Sequence, residues 1–496
     1  MGLKALLIRP YANYVARKVR QWSARPIESQ EAIFQQIIKK AQYTAFGKDH
    51  DFASIKTYED FKQRVSIADY EQLKPYFERI KHGEADVTWP GKPKYLAKTS
   101  GTTSGTKYIP ITKDSVGNHF YSAQTAMMLY MAETGQYNIM DGQLIFLSGS
   151  PELSVVNGIH TGRLSGIVNH EIPAYLKGNQ VPSWETNCMD DWEAKLDQIV
   201  EETISKDLTL ISGIPPWVQM YFDRLQARTG KPIKDIFPNF KVFVYGGVNY
   251  EPYRAKLEQS IGKSLPSVET YPASEGFIAY QDTQTEPGLL LNVNSGIFFE
   301  FVPANEYFNE SPTRISLKDV QLGVNYALII NSNAGLWGYS IGDTVKFVST
   351  KPYRLVVTGR IKHYISAFGE HVIGEEVEQA MLQAAQQTGA KITEYTVAPM
   401  VDAGTELPYH EWLVEFEQPP ADMQYLAQLL DEQMQALNIY YKDLITGSVL
   451  QPLKITPLQK GAFIDYMKSQ GKLGGQNKVP RLSNDRGIAD KLKIQN

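Results

Sequence analysis

The sequence predicts an α/β protein: a large first domain with β-sheets flanked by helices, followed by a small α+β domain. Three observations carry this expectation. Short apolar strand patterns alternate with helical patterns through most of the chain. The length of 496 residues exceeds what one hydrophobic core supports. The segment after about residue 360 has helix and strand patterns of its own. The boundary is expected at Gly359-Arg360-Ile361-Lys362, giving domains 1–359 and 360–496.

Residues 1–27 hold six basic side chains (Lys4, Arg9, Arg17, Lys18, Arg20, Arg25) and no acid, interleaved with Leu6, Leu7, Ile8, Tyr11, Tyr14, Val15, Val19 and Trp22. This reads as a helix that packs its Tyr/Trp face on the domain and leaves its basic face in water. Peripheral contact with an anionic membrane is the less favoured use. Ser29 is the expected cap of a helix with Ile33, Phe34, Ile37, Ile38 and Ala41 inward. A second helix begins at Tyr58. Segment 85–95, with Trp89, Pro90, Gly91 and Pro93, reads as a loop.

Strands are predicted at Leu144–Leu147, Leu208–Ile211, Val242–Tyr245, Tyr326–Ile330 and Arg354–Val357. Residues 375–388 form an amphipathic helix with Val377, Ala380, Met381 and Ala384 inward, stopped by Gly389. Glu411–Glu417 alternates like a half-buried strand.

Composition sets the outer limits. With 43% hydrophobic and 21% charged residues, the chain is neither mainly disordered nor a polytopic membrane protein. It has no run of 18 apolar residues, so no transmembrane segment is expected. A net charge of -4 argues against a nucleic-acid partner. The single cysteine, Cys188, excludes an internal disulfide and a Cys-rich metal site. It fits a reducing compartment, so a cytoplasmic location is expected. The eight histidines form no HxH or HExxH pattern.

The strongest local signal is Thr99-Ser100-Gly101-Thr102-Thr103-Ser104-Gly105-Thr106-Lys107. Its first eight residues are all hydroxyl-bearing or glycine. Glycines let backbone approach a polyphosphate, hydroxyl and N–H groups donate to its oxygens, and Lys107 adds charge. It is not a Walker A loop, because three residues rather than four separate the glycines and Thr106 precedes Lys107. A flexible linker is the competing reading. Two further segments matter. In Tyr271-Pro272-Ala273-Ser274-Glu275-Gly276, preceded by Tyr245-Gly246-Gly247, a Glu beside phosphate can hold Mg²⁺. In Trp337-Gly338-Tyr339-Ser340-Ile341-Gly342-Asp343, followed by Thr358-Gly359-Arg360, a carboxylate suits two ribose hydroxyls.

In this order the segments resemble the adenylate-forming superfamily. More closely, the chain resembles the acyl acid amido synthetase family known from auxin-responsive plant proteins (the Gretchen Hagen family, third group). Ser212-Gly213-Ile214-Pro215-Pro216-Trp217 and Gln476-Asn477-Lys478-Val479-Pro480-Arg481 complete the match.

The resemblance implies an adenylate-forming first domain, a mobile C-terminal lid domain, and a two-step reaction. A carboxylic acid and ATP give an acyl-adenylate and pyrophosphate, and an amine, often an amino acid, then takes the acyl group and releases AMP. It implies that Ser100 to Lys107 wrap the β/γ-phosphates, that Ser274 meets the α-phosphate or acyl oxygen, and that Glu275 ligates Mg²⁺. Gly246, Gly247 and Tyr271 line the adenine slot, and Tyr339 positions the nucleotide. Asp343 takes the ribose hydroxyls with Arg360 beside it, and Lys478 acts from the small domain. Trp217 is the candidate for the acyl pocket. His371 stands where plant members carry a lysine, so either Lys478 or His371 is the acting group. An acyl-CoA-type ligase and a nucleotide-binding protein without turnover remain the alternatives.

Overall fold

The computed structural model describes residues 3–100, 106–172, 177–189, 191–247, 250–361, 364–365, 367–368, 370, 372–401, 403, 406–446, 449–473, 478–483, 485–492 and 494. The chain forms two compact units: 1–249, 256–341 and 345–356 make the first, and 250–255, 342–344 and 357–496 the second.

In the first unit, strands Gln180–Val181, Gln143–Phe146, Leu208–Ser212, Val242–Gly246 and Ser267–Ala273 lie side by side and parallel. Parallel neighbours need crossover connections, and helices Trp192–Thr203, Pro215–Thr229 and Glu251–Ile261 supply them. The parallel run ends at Ala273, where the chain reverses through Ser274-Glu275 into the antiparallel strand Gly276–Tyr280. The sheet then continues through Leu289–Leu291, Tyr353–Arg360, Leu336–Thr350, Asn325–Ser332, Ile297–Pro303 and Ile315–Ser316, twelve strands among the described residues. A separate sheet has the order Thr106–Ile111, Tyr95–Ser100, Ile159–Gly162, Ser154–Val156. All five strand patterns read from the first domain's sequence are strands here.

Helix Pro26–Ala41 buries Ile33, Phe34, Ile37, Ile38 and Ala41, as its spacing predicts. Its start differs. Pro26 occupies the first turn and Arg25 the cap position, while Ser29 lies inside the helix and donates its hydroxyl to the Arg25 carbonyl at 2.9 Å. Proline's fixed φ is already helical, so the helix starts earlier than the serine suggested. Helix Tyr58–Arg64 is closed by a reciprocal cap between Thr57 and Asp60.

The first unit's core also holds a charge pair. Glu300 is fully buried and takes two hydrogen bonds from Arg314, at 2.7 and 2.8 Å, and a third from Asn331 at 2.6 Å. Removing one partner leaves the other buried and uncompensated. Arg314→Met is expected to destabilise the first unit by about 3–5 kcal/mol. Urea denaturation checks this, and Glu300→Gln added to that variant should recover part of the loss.

In the second unit, strands Lys391–Met400, Tyr409–Gln418 and Lys454–Leu458 form a sheet with the second strand central. Helix Gly374–Thr388 buries Val377, Ala380, Met381 and Ala384, and Gly389 ends it at φ 68°. These side chains share a core with Trp412, Val414, Leu426, Leu430 and Met434. The alternating segment 411–417 is half-exposed only at its end, at Phe416 and Glu417. His410 to Glu415 are all buried, because Phe463, Ala489 and Leu492 close the second face. The acids on that face are satisfied locally. Glu411 accepts from Arg486 at 2.8 Å, and Glu415 from the Gly461 N–H at 2.8 Å.

Among the described residues, no helix is long and apolar enough to cross a membrane.

Candidate active site

Strands Leu208–Ser212, Val242–Gly246 and Ser267–Ala273 end at one edge of the parallel run, in the register Ser212↔Val244 and Gly246↔Thr270. In open α/β sheets, ligands bind outside the carboxyl ends of the strands. At this edge the structure places Gly246, Gly247, Ser274 and Glu275. Ser274 and Glu275 are the two-residue turn between paired Ala273 and Gly276, and both are half-buried.

The turn is held from two sides. Asn118, from helix Val116–Thr134, accepts the Phe277 N–H at 2.6 Å. Tyr339 is 1% exposed and donates its hydroxyl to Glu275 Oε1 at 3.3 Å. Burial first, then the Glu275 carboxylate, push the Tyr339 phenol well above its ordinary range, so it stays a donor.

Gly246 has a packing reason to be glycine. A Cβ there would lie 2.5 Å from the Thr270 carbonyl, inside contact distance. Gly247, at φ 82°, has a backbone reason. Tyr271 is 6% exposed and packs into the first unit's core. Trp217 is likewise 6% exposed, in helix Pro215–Thr229, with its ring 4.8 Å from that of Trp192.

The hydroxyl run falls between the paired strands Tyr95–Ser100 and Thr106–Ile111, which close on Ser100↔Thr106. Gly101, Thr102, Thr103, Ser104 and Gly105 lie outside the described residues. Lys107 places its ammonium 5.5 Å from the centre of the Tyr70 ring. The Tyr70 hydroxyl accepts the Tyr108 N–H at 2.9 Å.

The second unit gathers three of the sequence candidates. Arg360 Nε donates to Asp343 Oδ1 at 2.8 Å, with Asp343 mostly covered and Arg360 half-exposed. Lys478 keeps exposed surface but is crowded by chain. That crowding pushes its ammonium down to about 8; Asp343 pulls it back up and Arg360 adds to the drop. Solvent also reaches the side chain, which tempers the shift without changing its direction.

The segment after Lys478 is anchored to strand Lys391–Met400. Val397 donates to the Arg481 carbonyl at 2.9 Å, Thr396 to the Pro480 carbonyl at 2.7 Å, and Arg481 pairs with Glu394 and Glu378. His371, Gln476 and Asn477 lie outside the described residues.

Two residues of this arrangement were not read from sequence. Asn118 sits in a mainly apolar helix, and Tyr70 is one of 29 tyrosines. Only a buried polar residue on an apolar stripe could have flagged Asn118.

Comparison with known proteins decides the family. Three domain descriptions of one family match in chain order: its N-terminal domain over residues 15–187, its central domain over 290–360 and its C-terminal domain over 375–487. The chain belongs to the GH3 family. The N-terminal match covers the hydroxyl run, the central one covers Tyr339, Asp343 and Arg360, and the C-terminal one covers Lys478.

Among curated relatives, an indole-3-acetic acid-amido synthetase of Arabidopsis thaliana is 21% identical over 91% of this chain and 88% of its own length. A jasmonoyl–L-amino acid synthetase of Nicotiana attenuata is 23% identical over 64% of this chain and 66% of its own length. The solved structure of a GH3 acyl acid amido synthetase in complex with 2,4-DB superposes with a TM-score of 0.80, covering 98% of this chain and 96% of that one at 16% identity. A 2-hydroxyisobutyryl-CoA ligase in its postadenylation state superposes at 0.58, covering 92% and 89% at 12% identity. The GH3 chain thus has the fold of adenylate-forming enzymes.

Proposed function

We propose that this GH3 chain activates a small carboxylic acid with ATP and transfers the acyl group to an amine, an amino acid, to form an amide. In the first step a carboxylate oxygen attacks the α-phosphorus and pyrophosphate leaves. In the second, the amine nitrogen attacks the acyl carbon, the bond to AMP breaks, and the nitrogen loses a proton. A carboxylate is a poor electrophile, and adenylylation of its oxygen supplies AMP as the leaving group. Family membership supports the reaction class. The observation that carries the reading is the braced Ser274-Glu275 turn at the carboxyl ends of the parallel strands.

The roles follow from position and chemistry. Ser100 to Lys107 hold the β/γ-phosphates, Ser274 the α-phosphate or acyl oxygen, and Tyr339 the Glu275 carboxylate. Gly246, Gly247 and Tyr271 border the adenine, and Trp217 backs the acyl group from the exit of strand Leu208–Ser212. Asp343 accepts from the ribose hydroxyls while Arg360 holds it in place, and Lys478 contributes positive charge. In domain terms, residues 1–359 bind ATP and acid, and 360–496 carry the lysine.

The donor set at the turn fits Mg²⁺, which takes one or two carboxylates and completes its shell with phosphate oxygens and water. Among the described residues no group of three His, Cys, Asp or Glu forms an all-protein metal cage, so a single Glu275 carboxylate working with substrate phosphate is the arrangement that suits this chain. When bound, the ion offsets phosphate charge. The cytoplasm is the proposed location, in keeping with a single cysteine.

ATP–pyrophosphate exchange with a panel of carboxylic acids tests the first step. Acid-dependent exchange is expected, and its absence across aryl and aliphatic acids would overturn the reading. Product masses with amino acids or CoA as acceptor test the second step. A thioester product without amide would replace the amine by the thiol.

A further inference from the structure

The N-terminal helix Leu3–Ser23 is packed with its small residues inward. Ala5, Ala12, Ala16 and Val19 are buried, in a core shared with Ala126, Tyr130 and Met131 of helix Val116–Thr134. Four of its large apolar residues are exposed: Leu6 is 60% exposed, Leu7 67%, Tyr11 43% and Tyr14 50%. The sequence reading had the tyrosines on the domain. The structure leaves the Tyr11 and Tyr14 rings largely exposed, with the Tyr11 hydroxyl donating to Gln124 at 3.3 Å, because alanines let the helix approach closely, while Ile8, Val15 and Trp22 pack partly on the core. Leu7, Tyr11, Tyr14 and Lys18 follow helical spacing of four, three and four, forming one stripe. Close packing accounts for the alanines in the core, but it gives no use for the exposed apolar patch that Leu6, Leu7, Tyr11 and Tyr14 leave on the outside.

The charges around the stripe have one sign. The helix has no Asp or Glu, and Arg9, Arg17, Lys18 and Arg20 are exposed. The chain as a whole carries -4, so this positive face is local. Adjacent exposed leucines flanked by cations match the boundary of an anionic bilayer, where apolar groups enter and cations meet phosphates. They match a nucleic acid poorly, since Leu6 and Leu7 have no counterpart on a phosphate backbone. They match a second copy poorly too, since two-fold pairing would set cations against cations.

We propose that this helix face docks the protein on the surface of an anionic membrane. The test is co-sedimentation of the full chain with vesicles of phosphatidylcholine alone or with added phosphatidylserine, at low and high salt. Binding is expected only to the phosphatidylserine vesicles and should weaken with salt. The variant R17Q/K18Q/R20Q should lose roughly a hundredfold in vesicle affinity. The variant L6E/L7E should lose about tenfold or more. Both should keep the wild-type thermal midpoint, because these side chains face solvent. Equal binding to both vesicle types, no binding, or unchanged binding of L6E/L7E would overturn the proposal. So would a wild-type dimer in sedimentation velocity that L6E/L7E dissolves without any lipid binding.

Discussion

Glu275→Gln is expected to lower acid-dependent ATP–pyrophosphate exchange by about 10²–10³-fold, the cost of losing one preorganised charge contact at a reacting phosphate. The turn that presents Glu275 is held by Tyr339 at the carboxylate and by Asn118 at Phe277, two residues further on. The substitution keeps the shape and removes the charge. Because the residue is half-buried at a turn, fold stability should change by less than about 1 kcal/mol, so a lost rate will reflect chemistry. The metal role has its own readout: the Mg²⁺ concentration for half-maximal exchange should rise in the variant. Exchange within twofold of wild type would remove Glu275 from the mechanism, and reduced exchange with an unchanged Mg²⁺ requirement would remove it from the metal. Tyr339→Phe should give a smaller loss of the same kind, since it deletes the donor that aims the carboxylate.

Lys478 is the second large effect, and pH reads it. Its ammonium is pushed down to about 8 from the ordinary value near 10.5. A cation with a lowered pKa gives up its proton earlier, so the charged form dominates below about 8 and the neutral amine above. If Lys478 offsets phosphate charge, exchange should fall as pH rises through about 8. Lys478→Arg should abolish that limb, because a guanidinium stays protonated there. Lys478→Ala should cost about 10²-fold or more at neutral pH. An alkaline limb shared by wild type and Lys478→Arg would assign it to another group. The same shift bears on folding with a definite sign. The folded chain binds this proton less tightly than the unfolded chain, so the group disfavours folding below about 8. The penalty fades as pH rises toward 10.5.

Much of the architecture was legible because it rests on local periodicity. Apolar runs at 208–211 and 242–245 are strands buried in a parallel sheet, and such strands read as continuous hydrophobic stretches. The helix closed by Gly389 was legible for the same reason. Periodicity failed where tertiary packing overrode it. Segment 411–417 alternates, yet from Glu411 to Glu415 both faces are covered, because Glu411 and Glu415 bond to Arg486 and Gly461 from segments that sequence cannot place. The N-terminal helix was read as amphipathic, but which face lies inward depended on the room that alanine leaves against its neighbour.

The candidate site divides the same way. Its residue types and their order along the chain (a hydroxyl run, Ser-Glu, Asp, Arg, Lys) are sequence facts, and they carry the family resemblance that implies the reaction class. Their assembly is not a local property. Asn118 reaches Phe277 across 159 positions, and Tyr339 reaches Glu275 across 64. Gly246 is glycine because of the strand packed beside it rather than anything in its own segment. What the sequence by itself determined is the alternation of elements, the chemistry on offer and the sign of each charge, all set by residue identity and short-range spacing. What only the tertiary structure decided is which carboxylate is braced, which lysine is crowded and which helix face meets water. Those depend on distances between segments far apart in the chain, set when the elements pack against one another.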